Sequence, residues 1–122
     1  MAVAVIIVVA VFFLGMGVYA LAAPAALVRP FGITLVESAS RSEVRAVYGG
    51  FGLAIAGVLA YAAVQADVRT GILVAVGAAL GGMAFGRLVS AVVDSRTAFY
   101  PNWFYCLVET IAAAALFAVA VS

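Results

Sequence analysis

Residues 2–27 read AVAVIIVVAVFFLGMGVYALAAPAAL, twenty-six positions without one charged side chain. A run of about 20 apolar residues is what an α-helix needs to cross the hydrocarbon of a bilayer, so this stretch predicts a first transmembrane helix over 2–27. Ala22-Ala23-Pro24-Ala25 has the small residues of a leader cleavage site, but no basic segment precedes the apolar run and the run is too long. It therefore reads as a retained span. Pro24 lacks a backbone N–H and is expected to bend or end the helix near its close.

The rest of the chain repeats the pattern. Residues 71–93 (GILVAVGAALGGMAFGRLVSAVV) are apolar except for Arg87, and two further stretches complete four predicted helices at about 2–27, 41–65, 70–93 and 102–121. The fold class expected is all-α: one domain over 1–122, an integral membrane four-helix bundle with both termini on the same side. Composition agrees, since 69% of the 122 residues are apolar and 9% charged, against roughly 25% charged in soluble domains. Mean hydropathy is +1.33.

Six arginines face five acids, with no lysine and no histidine. No basic face is available for nucleic acid. Without histidine, and with Cys106 as the one cysteine, neither a metal site nor a cofactor is expected. The connections differ in length. Val28 to Ser42 is the longest, with an apolar centre at Phe31–Val36 suited to the headgroup layer. Ser40-Arg41-Ser42-Glu43 has capping-box spacing for the second helix. Asp67–Thr70 predicts a very short turn that makes the second and third helices antiparallel neighbours. Its charges, including Arg69, read as loop solvation. Phe99, Tyr100, Trp103, Phe104 and Tyr105 form an interfacial aromatic cluster at the start of the fourth helix. Arg29, Arg41, Arg45, Arg87 and Arg96 gather at one end of the four spans and Arg69 alone at the other, so the positive-inside rule places both termini outside the cytoplasm.

Candidate site residues are the charges inside the spans. Arg87 and Glu109 fall at similar depths of roughly 10 Å, and Arg45 is shallower at the same end. An unpaired arginine at mid-membrane costs about 2.5–3.5 kcal/mol on insertion scales, which predicts a cluster in which Glu109 neutralises Arg87, Arg45 or both. Two arginines on one glutamate leave a positive charge for an anion, a lipid phosphate or a partner's carboxylate. The plainer alternative is an ion pair that only sets helix register. Tyr48 shares the face of Arg45 and can extend the network, or can be an interface anchor. Cys106 reads as a buried, inert thiol. Gly49, Gly50, Gly52 and Gly57 in the second helix, and Gly77, Gly81, Gly82 and Gly86 in the third, permit close helix contact. Packing within the chain is the first expectation and contact between protomers the second.

The run Arg41-Ser42-Glu43-Val44-Arg45-Ala46-Val47-Tyr48-Gly49-Gly50, with Gly86-Arg87 and Glu109 downstream, resembles an uncharacterised bacterial family of small four-helix membrane proteins, domain of unknown function 4345. The resemblance covers nearly the whole chain. It implies a four-span bundle in a bacterial inner membrane with Arg45, Tyr48, Arg87 and Glu109 at matching positions, and it brings no activity.

Three functions compete. First is a binding or accessory protein whose Arg/Glu cluster engages a lipid headgroup, an anion or a partner protein; membrane lipids and a homo-oligomer or larger membrane complex are the partners expected. Second is a small proton-coupled transporter or permease acting as a homo-oligomer, against which stands the little cavity that four helices enclose and the lack of paired interrupted helices. An enzyme using Glu109 as acid or base ranks last, because no nucleophile, histidine or metal cluster accompanies it.

Overall fold

Backbone polar groups cannot be left unpaired in hydrocarbon, so an apolar chain of this kind satisfies them within helices. The computed structural model describes residues 1–122 and contains helices and no strands. Four helices are long and apolar enough to cross a membrane: α1 (Ala2–Ala22), α3 (Ser38–Val64), α4 (Ala66–Val93) and α5 (Phe99–Ala120). A five-residue helix, α2 (Pro24–Val28), and a tight turn at Arg29–Phe31 fill part of the long connection.

The bounds differ from expectation in ways the backbone explains. α1 stops at Ala22, five residues early, because Ala23 leaves helical geometry (φ −142°, ψ 65°) and Pro24 restarts the chain as the first residue of α2. α3 starts three residues early, with Glu37 as the flanking residue and no side-chain cap. The Ser40–Glu43 capping box is therefore corrected to helix interior. The predicted turn at 67–70 is also helix. One residue, Gln65 (φ −120°, ψ 94°), reverses the chain, and α4 begins at Ala66.

Arg69 makes that tight reversal tenable. The last carbonyls of a helix have no helical partner, and Arg69 reaches back from α4 to cap α3, its Nε donating to the Ala62 carbonyl (2.8 Å) and its Nη2 to that of Ala63 (3.0 Å). The loop-solvation reading of Arg69 is thus corrected to a half-buried clamp. Arg69→Ala is expected to cost about 1–2 kcal/mol, given two charge-assisted bonds partly open to solvent. Arg69→Lys should recover less than half, since an ammonium does not fork across two carbonyls. Unfolding titrations with sodium dodecyl sulfate in mixed micelles measure both, and an Arg69→Ala protein as stable as wild type would refute the clamp.

α1 packs extensively along α3, and α4 along α5; thinner contacts between α3 and α4 and between α1 and α5 complete a cyclic arrangement. The tightness of the first pair comes from glycine. A Cβ on Gly17 of α1 would lie 2.9 Å from the Gly49 carbonyl oxygen and the Leu53 nitrogen, and one on Gly52 of α3 would lie 2.9 Å from the Phe13 carbonyl oxygen. Backbone meets backbone there. In α4 only Gly77 is filled against a neighbour, the ring of Phe117; Gly81, Gly82 and Gly86 face open space. Intramolecular packing thus accounts for Gly49 and Gly52 in α3 but not for Gly57, and in α4 for Gly77 alone of the four.

The core occupies the half of the molecule that holds the two chain ends. Ile6, Leu59, Leu73 and Leu116, one from each long helix, are fully buried and form its centre. Only 24 of 122 residues are buried in all. Most of the apolar residues consequently face outward, as a hydrocarbon solvent allows. Most of the charged side chains lie toward the opposite end, where α1 breaks and α5 begins, Asp67 and Arg69 excepted.

Candidate functional site

On α5, Asn102, Cys106, Glu109, Ala113, Leu116 and Ala120 recur at intervals of three and four, one stripe facing the other helices; those from Cys106 onward are buried. Glu109, 5% exposed, is the one charged residue among the buried set. Across from it, Arg87 of α4 forms a two-point pair: Nε donates to Oε1 at 2.8 Å and Nη2 to Oε2 at 3.0 Å. This is the single salt bridge in the structure. Nη1 donates to the Asn102 Oδ1 at 3.2 Å, so the guanidinium is tied to two positions two turns apart on α5.

Aromatic side chains wall one side. The Arg87 guanidinium carbon lies 5.6 Å from the Phe31 ring centre and 5.8 Å from that of Tyr105, and the two rings are 5.6 Å apart. These near-equal separations place the rings side by side, a continuous wall and not a sandwich. Tyr100 and Phe104 extend it, at 6.1 Å and 5.1 Å from Tyr105. Such a wall favours the cation through the ring quadrupole and covers one side of the guanidinium. Phe31 arrives from the turn after α2, placed by Pro30 and released by Gly32 in the left-handed conformation (φ 76°).

Arg45 does not share Glu109. Its Nε donates to the Leu21 carbonyl at 3.0 Å, one of the carbonyls stranded where α1 breaks. Of the expected alternatives, Arg87, Arg45 or both, Glu109 pairs with Arg87, while the α1 terminus takes Arg45. Tyr48, half-buried one turn beyond, makes no side-chain hydrogen bond. Both lie in a widened, π-type turn over Arg45–Gly50, a local irregularity often found at functional positions. Cys106 is buried and its Sγ is 3.9 Å from the Ala84 carbonyl oxygen, consistent with an inert thiol.

Three contributors escaped the sequence reading. Asn102 had a usable signal, its seven-residue spacing from Glu109. Tyr105 was visible only as an interfacial aromatic, and Phe31 comes from an irregular segment with no periodicity to place it.

Comparison with curated proteins and with solved structures finds no match. The family model of a domain of unknown function, DUF4345, matches residues 1–120, nearly the whole length of the four helices described above, and the chain belongs to that family.

Proposed function

We propose that this is a small multi-pass membrane protein acting as a binding or accessory subunit, engaging a lipid headgroup, an anion or a partner protein at the end where Arg45, Tyr48, Arg87 and Glu109 lie. The observation that carries the reading is Glu109, a buried carboxylate held by Arg87 in a largely apolar span, with a further arginine, Arg45, toward the same end of the helices and without a carboxylate partner. Ionisable groups in spans are costly and by default candidates for a site. The arginine excess at this end favours the cytoplasmic side for it, with both termini outside, and the family resemblance favours a bacterial inner membrane.

Native mass spectrometry after gentle extraction tests the reading by comparing wild type with Arg87→Ala and Glu109→Gln. A lipid or protein retained at fixed stoichiometry by wild type and lost by both variants is the expected result. A bare monomer or homodimer, the same in all three, would refute it and leave the pair as a register lock or a transport element.

A further inference from the structure

The two-point pairing of Glu109 with Arg87 assigns the surplus positive charge at this end to Arg45. We infer that Arg45, with Arg41 one turn before it, forms a binding site for the phosphate of an anionic membrane phospholipid. The inference rests on the reading above and names its ligand.

Depth supports it from two directions. α1 has 21 residues, about 31 Å of helix, close to the ~30 Å hydrocarbon thickness, so its end at Leu21 and Ala22 falls at the headgroup boundary. Arg45 is bonded to that end. On α3, the stretch from Arg45 to Val64 is itself twenty residues, about 30 Å, while Ser38 to Val44 carries serines, an arginine and a glutamate suited to the headgroup layer. Both counts bring the Arg45 guanidinium to the level of the lipid phosphates.

Geometry supports it as well. A guanidinium offers five N–H groups. The bond to Leu21 uses Nε and holds the side chain in place, leaving both Nη groups of an exposed residue uncommitted. They form a pre-oriented fork matched to two phosphate oxygens. The Arg45 backbone N–H bonds the Arg41 carbonyl, confirming that the two arginines stand one turn apart on one face. Arg41 bonds only Ser38 Oγ (3.1 Å). Glu37 and Glu43 are near in sequence, yet neither forms a salt bridge with either arginine. A phosphate between the arginines removes their repulsion. A lipid without a quaternary ammonium on its headgroup suits the pair better, since it brings no competing cation.

The test is native mass spectrometry of the intact protein in detergent, titrated separately with phosphatidylglycerol, phosphatidylcholine and inorganic phosphate. Wild type is expected to bind one phosphatidylglycerol per chain, at least about fivefold more tightly than phosphatidylcholine. Arg45→Ala should weaken this about tenfold, the scale of one charge-assisted contact. Arg45→Lys should stay several-fold weak because it keeps charge and loses the fork. Arg41→Ala leaves the Leu21 cap intact, so it controls for folding; it should lower the preference for phosphatidylglycerol with helix content by circular dichroism unchanged. Retention of the lipid by both Arg45→Ala and Arg41→Ala, with loss in Arg87→Ala, would overturn this assignment while sustaining the binding reading. Saturable binding of inorganic phosphate equal to that of the lipid would overturn the lipid assignment in favour of a soluble oxyanion. Absence of any bound lipid or phosphate in wild type would overturn it too, and a retained partner protein lost in Arg87→Ala would then leave the broader reading standing.

Discussion

Gly52→Leu is expected to separate α1 from α3 and to prevent accumulation of the folded protein, or to lower its stability by the upper end of the ~1–3 kcal/mol typical of overpacking and beyond. The reason is the identity of the neighbours. A Cβ at Gly52 meets the Phe13 carbonyl oxygen at 2.9 Å and the Gly17 Cα at 3.1 Å, both backbone atoms that no rotamer change moves aside. Gly82→Leu provides the contrast, since nothing lies within 4 Å of its Cβ direction and the new side chain enters hydrocarbon; its expected effect is within about 0.5 kcal/mol. Sodium dodecyl sulfate unfolding titrations of both variants settle the matter. Equal stabilities would mean that the α1–α3 seam is not the close contact described.

The second large effect concerns the ion pair. Glu109→Ala removes the only carboxylate that Arg87 has, and breaking a buried pair from one side costs about 3–5 kcal/mol. With 21% of the Arg87 side chain exposed, part of the charge can reach polar surroundings, which places the expected loss near 3 kcal/mol. The double substitution Arg87→Met with Glu109→Leu should restore most of that stability, because hydrophobic replacements of similar volume avoid desolvating either charge. A double-mutant cycle measures the coupling. A double variant as unstable as Glu109→Ala would show that the cost lies in losing the paired interaction itself and not in the stranded charge. The restored double variant also separates stability from function: if it folds yet loses the ligand kept by wild type, the pair does more than set register.

Different kinds of residue were legible to different degrees. The four spans were plain because hydrocarbon imposes a length and a composition that no other solvent requires, and 69% apolar content meets both. The pairing of Arg87 with Glu109 was legible for the same reason: each falls about two turns inside a helix end, and one depth gives each charge few partners. Arg45 and Arg69 misled. Read as a cluster member and a solvated loop residue, they instead donate to stranded helix carbonyls at Leu21, Ala62 and Ala63. Those carbonyls became acceptors only because α1 breaks at Ala23 and α3 at Gln65, and helix ends are set by single backbone torsions that periodicity does not report.

The glycines divide along the same line. Spacing marks Gly52, Gly77 and Gly82 alike as sites of close approach, yet Gly52 meets the backbone of α1, Gly77 meets the Phe117 ring and Gly82 meets nothing within the chain. Sequence alone determined that this protein is helical, that four helices suit a bilayer and that its charges gather toward one end, because burial of backbone polar groups in hydrocarbon leaves few alternatives. Tertiary structure decided which arginine Glu109 neutralises, that Arg45 instead bonds the Leu21 carbonyl, and that Phe31 walls the pair. These are contests between neighbours of similar chemistry, settled by ångström differences in position that arise only once the helices pack.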